Sequence, residues 1–227
     1  MSTYETTRAS LETYFDRTAA ETWARLTSDA PVSRIRQTVR AGRDRMRSSL
    51  LDMLPKDMTG MRLLDAGCGV GQLSAEAARR GADVVAVDIA PNLLDVARAR
   101  LPEDVAARIT FRAGDMLDPA LGRFDWVVAM DSLIHYRAED TAAALAGLAE
   151  RCNAGVAFTI APATPALQAM HLVGKAFPRS DRSPAIVPVR PARLSRALSH
   201  RTGWRLEAGP RIGTGFYISQ AMGLRPQ

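Results

Sequence analysis

The sequence contains few cysteines, few aromatic residues and no extended apolar segment. Cys68 and Cys152 are its only cysteines, which excludes a disulfide scaffold and a four-cysteine zinc site. No stretch approaches the roughly 18 apolar residues of a membrane-spanning helix. The first residues do not show a basic segment followed by an apolar one, so we expect no signal peptide and a reducing, cytoplasmic location.

Lysine is almost absent, since Lys56 and Lys175 are the only lysines among 30 basic residues. The formal net charge of +6 is compatible with a nucleic-acid partner. However, aromatic residues make up only 6% of the chain, and no Asn-Pro-Pro-Tyr-type motif follows the fourth predicted strand. We therefore expect no nucleic-acid partner. Arginine also suits planar carboxylates, which it can bind through two parallel hydrogen bonds.

The chain divides into a helical N-terminal part and an alternating remainder. Helical periodicity through residues 1–59 predicts an N-terminal helical cap. From residue 60 to residue 227, apolar strands alternate with helices, which predicts βαβ units and a parallel sheet. Proline breaks this rhythm at residues 162–191, which we interpret as a lid insertion. The predicted strands are 62–66, 83–88, 109–113, 124–130, 155–160, 204–207 and 216–222, and the helices among them are 72–80, 91–100, 139–151 and 191–200.

The most informative motif is Asp65-Ala66-Gly67-Cys68-Gly69-Val70-Gly71, between the first predicted strand and the next helix. Its glycines allow a tight turn and let a ligand approach the backbone beside a helix N-terminus. The G-x-G-x-G spacing differs from the G-x-G-x-x-G of dinucleotide sites. Asp65 would repel a pyrophosphate but can accept a hydrogen bond from an ammonium group.

Acidic residues also end the second and third predicted strands. Asp88 can bind two ribose hydroxyls, and Asp115, in Gly114-Asp115-Met116, can accept from an adenine amino group. Each acidic residue also has a structural interpretation. Asp65 could cap a helix or brace the loop, Asp88 could belong to a turn at the strand end, and Asp115 could form an Asx turn.

Together, these motifs resemble those of the class I S-adenosyl-L-methionine (SAM) methyltransferases over about residues 60–160. The resemblance implies an α/β, Rossmann-like sheet that is mostly parallel, with seven strands and an antiparallel C-terminal strand. It also implies that SAM is bound at the strand ends, and Arg40 could pair with its methionyl carboxylate. The implied cofactor residues are Asp65, Ala66, Gly67, Gly69, Gly71, Asp88, Ile89, Asp115, Met116, Met130 and Arg40.

A narrower resemblance runs nearly from end to end, to the magnesium-protoporphyrin IX O-methyltransferase family of bacteriochlorophyll biosynthesis. It implies methyl transfer from SAM to one propionate carboxylate of magnesium-protoporphyrin IX, giving the monomethyl ester and S-adenosylhomocysteine (SAH). Magnesium would be present only as part of the substrate. The motifs that carry it are the glycine loop together with Tyr14-Phe15, Val39-Arg40-Ala41-Gly42, Asp131-Ser132-Leu133-Ile134-His135-Tyr136 and Gly215-Phe216-Tyr217.

His135 and Tyr14 are the candidate catalytic residues. His135 follows the fourth strand and could donate a hydrogen bond to one carboxylate oxygen while the other oxygen attacks. Tyr14 could cover the cofactor or orient the substrate, and Tyr217 is a weaker candidate. Their structural alternatives are a histidine that packs the turn and a core aromatic residue. Cyanobacterial-type members place a tyrosine where this chain has Thr27, so a role of that tyrosine in orienting substrate either belongs to another residue here or is not general to the family.

The residues leave other acceptors and partners open. A phenolic quinone precursor would need a general base or a metal, and His135 could be that base. A non-catalytic carrier of SAM or porphyrin is a further alternative. The arginine-rich predicted helix at 31–54 would permit peripheral membrane association, and a magnesium chelatase is a candidate partner. The three histidines, His135, His171 and His200, do not cluster, so we expect no protein-bound metal.

Overall fold

The computed structural model describes residues 3–17, 34–164, 185–215 and 217–227. Thr27, His171 and residues 165–184 of the predicted lid lie outside these ranges. The described strands are β1 (Arg62–Ala66), β2 (Asp83–Asp88), β3 (Ile109–Ala113), β4 (Phe124–Ala129), β5 (Cys152–Ile160), β6 (Arg205–Thr214) and β7 (Tyr217–Arg225). The described α-helices are α1 (Thr3–Arg17), α2 (Arg34–Leu51), α3 (Gln72–Arg79), α4 (Pro91–Arg100), α5 (Glu103–Ala106), α6 (Ala138–Ala149) and α7 (Pro191–Ser199).

These seven strands form one mixed sheet in the order β3-β2-β1-β4-β5-β7-β6. Strands β1 to β5 pair in parallel, and β7 pairs antiparallel with both β5 and β6. The prediction of a mostly parallel α/β sheet with an antiparallel C-terminal strand is confirmed. The central strands are buried on both faces, as expected when helices cover a parallel sheet. Leu63, Leu64, Val127, Val128 and Phe158 are all fully buried.

The predicted bounds of β1, β2 and β3 match the structure, whereas β6 is much longer than the predicted 204–207. It continues through Gly209 and Pro210, which lie between the two predicted C-terminal strands, 204–207 and 216–222. β6 is an edge strand that pairs only with β7, and its register shifts between Ala208 and Arg211. Proline is tolerated at such an edge because its missing N–H interrupts no central ladder.

The N-terminal helices lie against different parts of the sheet. The C-terminal end of α1 contacts α4, where Asn92 donates through its backbone N–H to Asp16 Oδ1 at 3.2 Å. Helix α2 packs on the β6–β7 hairpin, and its Gly42 is buried there. A Cβ on Gly42 would lie 2.5 Å from Cδ1 of Tyr217, so this close approach requires glycine.

The two ends of the predicted lid, residues 162–191, lie beside each other. Pro162 forms an isolated parallel bridge with Val189. The backbone N–H of Val189 donates to Ala161 O at 2.8 Å, and that of Val187 donates to Ile134 O at 2.8 Å. The segment therefore leaves and rejoins the sheet beside the connection that follows β4.

Candidate active site

A pocket opens at the carboxyl ends of β1, β2 and β4, where ligands bind in open α/β sheets. It encloses about 970 Å³ of empty space, including the open solvent at its mouth. His135 lies on its wall. So do many of the predicted cofactor residues, namely Asp65, Gly67, Gly69, Asp88, Ile89, Met116 and Met130.

The glycine loop wraps around the end of β2. The backbone N–H groups of Gly67 and Cys68 both donate to Val87 O, at 2.8 and 3.0 Å. The φ angles of Gly67, Gly69 and Gly71 are +83°, +55° and +72°, a region that other residues rarely adopt. Gly71 ends the loop as the N-cap of α3.

The loop also packs tightly against the segment after β4. Ser132 Oγ donates to the carbonyl of buried Ala66 at 2.7 Å. A Cβ on Gly67 would overlap the Cβ of Ser132. Ala66 and Gly71 therefore hold the shape of the loop, while Gly67 and Gly69 lie on the pocket wall.

Gly67→Ala is expected to lower the thermal midpoint and to weaken SAM binding about tenfold or more. The new methyl group combines a strained φ with an overlap that displaces the loop from Ser132. Calorimetric titration with SAM measures the second effect. Gly60→Ala is the matched control, because Gly60 has φ +75° with nothing within 4 Å of its Cβ position. Unchanged SAM affinity in Gly67→Ala would contradict this role of the loop.

Asp65 is a buried carboxylate at the base of the pocket, 1% exposed. Its Oδ2 accepts a hydrogen bond from Ser74 Oγ at 2.6 Å. Burial raises the pKa of Asp65 to about 7, and the nearby charge of Asp88 adds to this rise. A bound ammonium group would favour the ionised form, so the site fits the cationic end of SAM.

Asp88 is buried and braces the glycine loop, which is a structural role. Its Oδ2 accepts from the backbone N–H of Gly69 at 2.8 Å, and its Oδ1 accepts from that of Ala90 at 2.9 Å. Burial raises the pKa of Asp88 above its ordinary value. Because each carboxylate oxygen has two lone pairs, bracing the loop leaves Asp88 able to accept from ribose hydroxyls.

Asp115 contacts α1 and does not itself line the pocket. Its Oδ1 accepts from Leu117 N at 2.9 Å, which is the Asx turn anticipated as its structural alternative, and from Tyr4 Oη at 2.7 Å. Arg8 lies 3.5 Å from its Oδ2. The Tyr4 ring stacks on Tyr136 with centroids 4.9 Å apart. Sequence reasoning missed Tyr4, although it precedes buried Leu11 by two helical turns on the same face of α1.

Neither Tyr14 nor Arg40 lies on the pocket wall. Phe15 does, and the Tyr14 ring packs against its edge with centroids 5.2 Å apart. The Phe15 ring in turn lies edge-on to the ring of His135, with the two centroids 6.1 Å apart. On α2, the structure places Arg43, one turn after Arg40, on the pocket wall.

His135 ends a short 3-10 helix, Leu133–His135, after β4. Its Nδ1 lies 3.3 Å from the carbonyl oxygen of Ala185. A carbonyl can only accept, so Nδ1 carries the proton in this contact and Nε2 of a neutral ring is an acceptor. Burial lowers the pKa of His135, because a charged ring is poorly solvated there. Donation to a substrate carboxylate therefore requires the ring to take up a proton when substrate binds.

Arg43 forms a close ion pair with Asp131, the residue after the pocket-lining Met130. Asp131 also accepts from the hydroxyl of Tyr217. Sequence reasoning ranked Tyr217 as a weaker candidate and did not single out Asp131. Within the described ranges, no three His, Cys, Asp or Glu side chains are grouped as a metal site.

The described part of the chain contains no helix with the length and apolar character needed to cross a bilayer.

Comparisons with known proteins agree with this geometry. A family model described as "Magnesium-protoporphyrin IX methyltransferase C-terminus" matches residues 129–226, and a general methyltransferase-domain model matches residues 63–155. The chain is 51% identical over 226 residues to the magnesium-protoporphyrin O-methyltransferase of Rhodobacter capsulatus, with 99% of each covered. It is 31% identical to the chloroplastic magnesium protoporphyrin IX methyltransferase of Arabidopsis thaliana, over 91% of this chain and 67% of that protein.

A solved structure shows the same fold. The crystal structure of magnesium protoporphyrin IX methyltransferase from Synechocystis with bound SAH superposes with a TM-score of 0.82 at 26% identity. The match covers 96% of this chain and 99% of that one. With half of its residues identical to a full-length relative, this chain belongs to the magnesium-protoporphyrin O-methyltransferase family.

Proposed function

We propose that this chain transfers the methyl group of SAM to one propionate carboxylate of magnesium-protoporphyrin IX, giving the monomethyl ester and SAH in bacteriochlorophyll biosynthesis. The observation that carries the proposal is the full-length identity of 51% to the R. capsulatus enzyme. The pocket supports it, because Asp65 and Asp88 suit a cationic cofactor with ribose hydroxyls. His135 and Arg43, which line the same pocket, suit an anionic acceptor.

SAM supplies an electrophilic methyl group on its sulfonium. The chain binds and orients it: Asp65 would hold the ammonium group, Asp88 the ribose hydroxyls, and Ile89 and Met116 would flank the adenine. A propionate is already ionised near neutral pH, so the acceptor needs no strong base. The protein must align the acceptor oxygen with the methyl group and exclude water, a task that suits the apolar cover formed by Leu11 and Phe15.

Residues 1–59 and 162–191 are proposed to cover this site as cap and lid. Helix α1 contributes Tyr4, Leu11 and Phe15 to the pocket wall, which supports the role of the cap. The end of the lid segment supplies Ala185, whose carbonyl contacts His135. A large flat porphyrin would require such covering segments on the acceptor side.

The proposal is tested by following SAH release from SAM with different acceptors. We expect release to depend on magnesium-protoporphyrin IX and to be negligible with a catechol-type quinone precursor. The reverse preference would favour the phenolic alternative, with His135 as general base. Binding of SAM without SAH release in the presence of either acceptor would favour a carrier.

Peripheral contact with the cytoplasmic face of a membrane is proposed from the N-terminal end of α2. Arg34, Ile35 and Arg36 begin this helix, and Ile35 is 52% exposed. Such a basic, partly apolar surface binds anionic lipid. In sedimentation with anionic phosphatidylglycerol vesicles, Ile35→Ser is expected to reduce the bound fraction severalfold. Ile186→Ser, at another exposed isoleucine, should not; equal binding by both variants and the unmodified chain would contradict the proposal.

A magnesium chelatase is proposed as the partner that delivers the porphyrin, because such an enzyme produces this acceptor. Co-purification of the two proteins in the presence of porphyrin tests this contact, and its absence at every salt concentration would contradict it.

A further inference from the structure

Among the non-glycine residues that the structure describes, only Asp131 has a positive φ. It follows β4 directly after Met130, and its φ is +56°, in the left-handed region that non-glycine residues seldom adopt. Its backbone N–H donates to Thr159 Oγ1 at 2.7 Å, so strand β5 holds this conformation. Strained residues of this kind concentrate at functional sites. The side chain of Asp131 is only 7% exposed.

The carboxylate of Asp131 contacts residues of three different elements. Arg43 of α2 contacts Oδ2 through Nη1 at 2.5 Å. The hydroxyl of Tyr217, the first residue of β7, lies 3.1 and 3.2 Å from the two carboxylate oxygens. Thr159 of β5 donates to Oδ1 at 3.2 Å. A buried ion pair contributes little net stability, so its position on the wall of the pocket points to a role in binding.

The packing of α2 determines where Arg43 lies. Gly42 sits directly against the Tyr217 ring, with no space for a side chain. Near the start of the helix, Thr214 Oγ1 donates to Thr38 O at 3.0 Å. The hairpin therefore fixes the rotation of α2, and this rotation places Arg43 beside Asp131 on the pocket wall.

We propose that Arg43 anchors the carboxylate that accepts the methyl group, and that Asp131 and Tyr217 are positioning residues that hold Arg43. The inference rests on the proposed function, since it assumes a carboxylate acceptor. Arg43 and His135 line the same pocket, and Asp131 and His135 belong to the same connection between β4 and α6. The acceptor carboxylate would thus be held by a guanidinium and by the imidazole.

The negative charge of Asp131 also explains how a carboxylate bound to Arg43 stays reactive. A guanidinium alone would bind the carboxylate tightly and withdraw its negative charge, which makes it a weaker nucleophile. Asp131 offsets that charge, so Arg43 aligns the acceptor with less loss of reactivity. Asp131→Asn is therefore expected to lower kcat about tenfold while KM for the porphyrin stays the same or falls, a pattern that plain structural damage would not give.

The direct test is to titrate Arg43→Gln with magnesium-protoporphyrin IX and, separately, with SAH. We expect porphyrin affinity to fall about 10- to 100-fold, and SAH affinity to change less than about twofold. Arg43→Lys should recover part of the loss, because it keeps the charge but not the planar donors. The dimethyl ester of the porphyrin, which has no free carboxylate, should bind equally weakly to the unmodified chain and to the Arg43→Gln variant.

Two further sets of variants separate this role from folding. Arg43→Gln alone leaves Asp131 buried without its cation, so the double variant Arg43→Gln/Asp131→Asn is measured beside it. Gly42→Ala should weaken porphyrin binding by displacing α2 from Tyr217. Gly147→Ala, in helix α6, is its matched control, because no atom beyond its chain neighbours and the local helix backbone lies within 4 Å of the position that its Cβ would take.

The outcomes are distinct. Loss of SAH affinity with unchanged porphyrin affinity would mean that Arg43 binds the methionyl carboxylate instead, and would overturn the inference. Unchanged affinity for both ligands would overturn it as well. Failure of the unmodified protein to form any porphyrin ester would be a failure of the proposed function, and it is seen before any variant is compared.

Discussion

Asp65→Asn is expected to weaken SAM binding about a hundredfold or more, because it removes the buried negative charge opposite the ammonium group. The same variant should fold at least as stably as the unmodified chain at pH 8. Ser74 Oγ can still donate to the amide oxygen at this position, so the local hydrogen bond survives. Asp65 is thus expected to serve binding at the expense of stability.

The pH dependence of stability follows from the direction of the pKa shift. Asp65 has a folded-state pKa of about 7 against an ordinary value of 3.8, so the folded protein holds its proton more strongly than the unfolded chain. Its contribution to stability is complete below about pH 4 and is lost as pH rises to about 7. The thermal midpoint of the ligand-free protein should fall over this range, and Asp65→Asn should remove that component.

The affinity for SAM should have the opposite pH dependence, because the ammonium group of SAM requires ionised Asp65. SAM affinity should decline by up to about tenfold per pH unit below pH 7. Thermal-shift measurements at pH 6 and pH 8, with and without SAM, test both effects. Asp83→Asn is the control, since this exposed carboxylate lies at the other end of β2. Normal SAM affinity in Asp65→Asn would contradict the assignment.

His135→Phe is expected to reduce kcat/KM for the porphyrin about a hundredfold while SAM affinity stays within about twofold. The phenyl ring keeps the packing against Phe15 but cannot donate to the acceptor. Steady-state kinetics at saturating SAM measure the first quantity and calorimetry the second. His200→Phe is the control, because His200 is exposed at the end of α7.

The pH profile identifies which protonation state of His135 acts. Burial lowers its pKa, and Ala185 holds Nδ1, so donation from Nε2 requires proton uptake with the substrate. We therefore expect kcat/KM to fall as pH rises through the His135 pKa of the free enzyme, which lies below 6.5, and this fall to vanish in His135→Phe. A kcat/KM that rises with pH would instead indicate a neutral ring acting as a base.

The sheet and the cofactor loop were predictable because their signals are local. Each strand from β1 to β4 is an apolar segment bounded by turn residues, and the spacing of Gly67, Gly69 and Gly71 belongs to a single turn. The length of strand β6 was underestimated, because its position at the edge of the sheet is a property of the whole fold. That edge position is what tolerates Pro210.

The acceptor side of the site depends on contacts between residues that are far apart in the sequence. Arg40 and Arg43 lie one turn apart on a helix rich in arginine, and nothing local distinguishes them. The docking of Gly42 on Tyr217, from the other end of the chain, turns Arg43 towards Asp131. Tyr4 likewise reaches Asp115 across 111 positions, so only the folded chain reveals it.

Methyl transfer to a porphyrin carboxylate is tested most directly by the identity of the methylated product. Purified protein is incubated with magnesium-protoporphyrin IX and SAM that carries an isotopically labelled methyl group, and the porphyrin is analysed by chromatography and mass spectrometry. We expect one labelled methyl group per porphyrin, released by mild alkaline hydrolysis as is typical of an ester. An unmodified porphyrin, in a preparation that SAM still stabilises against heat, would contradict the proposed reaction.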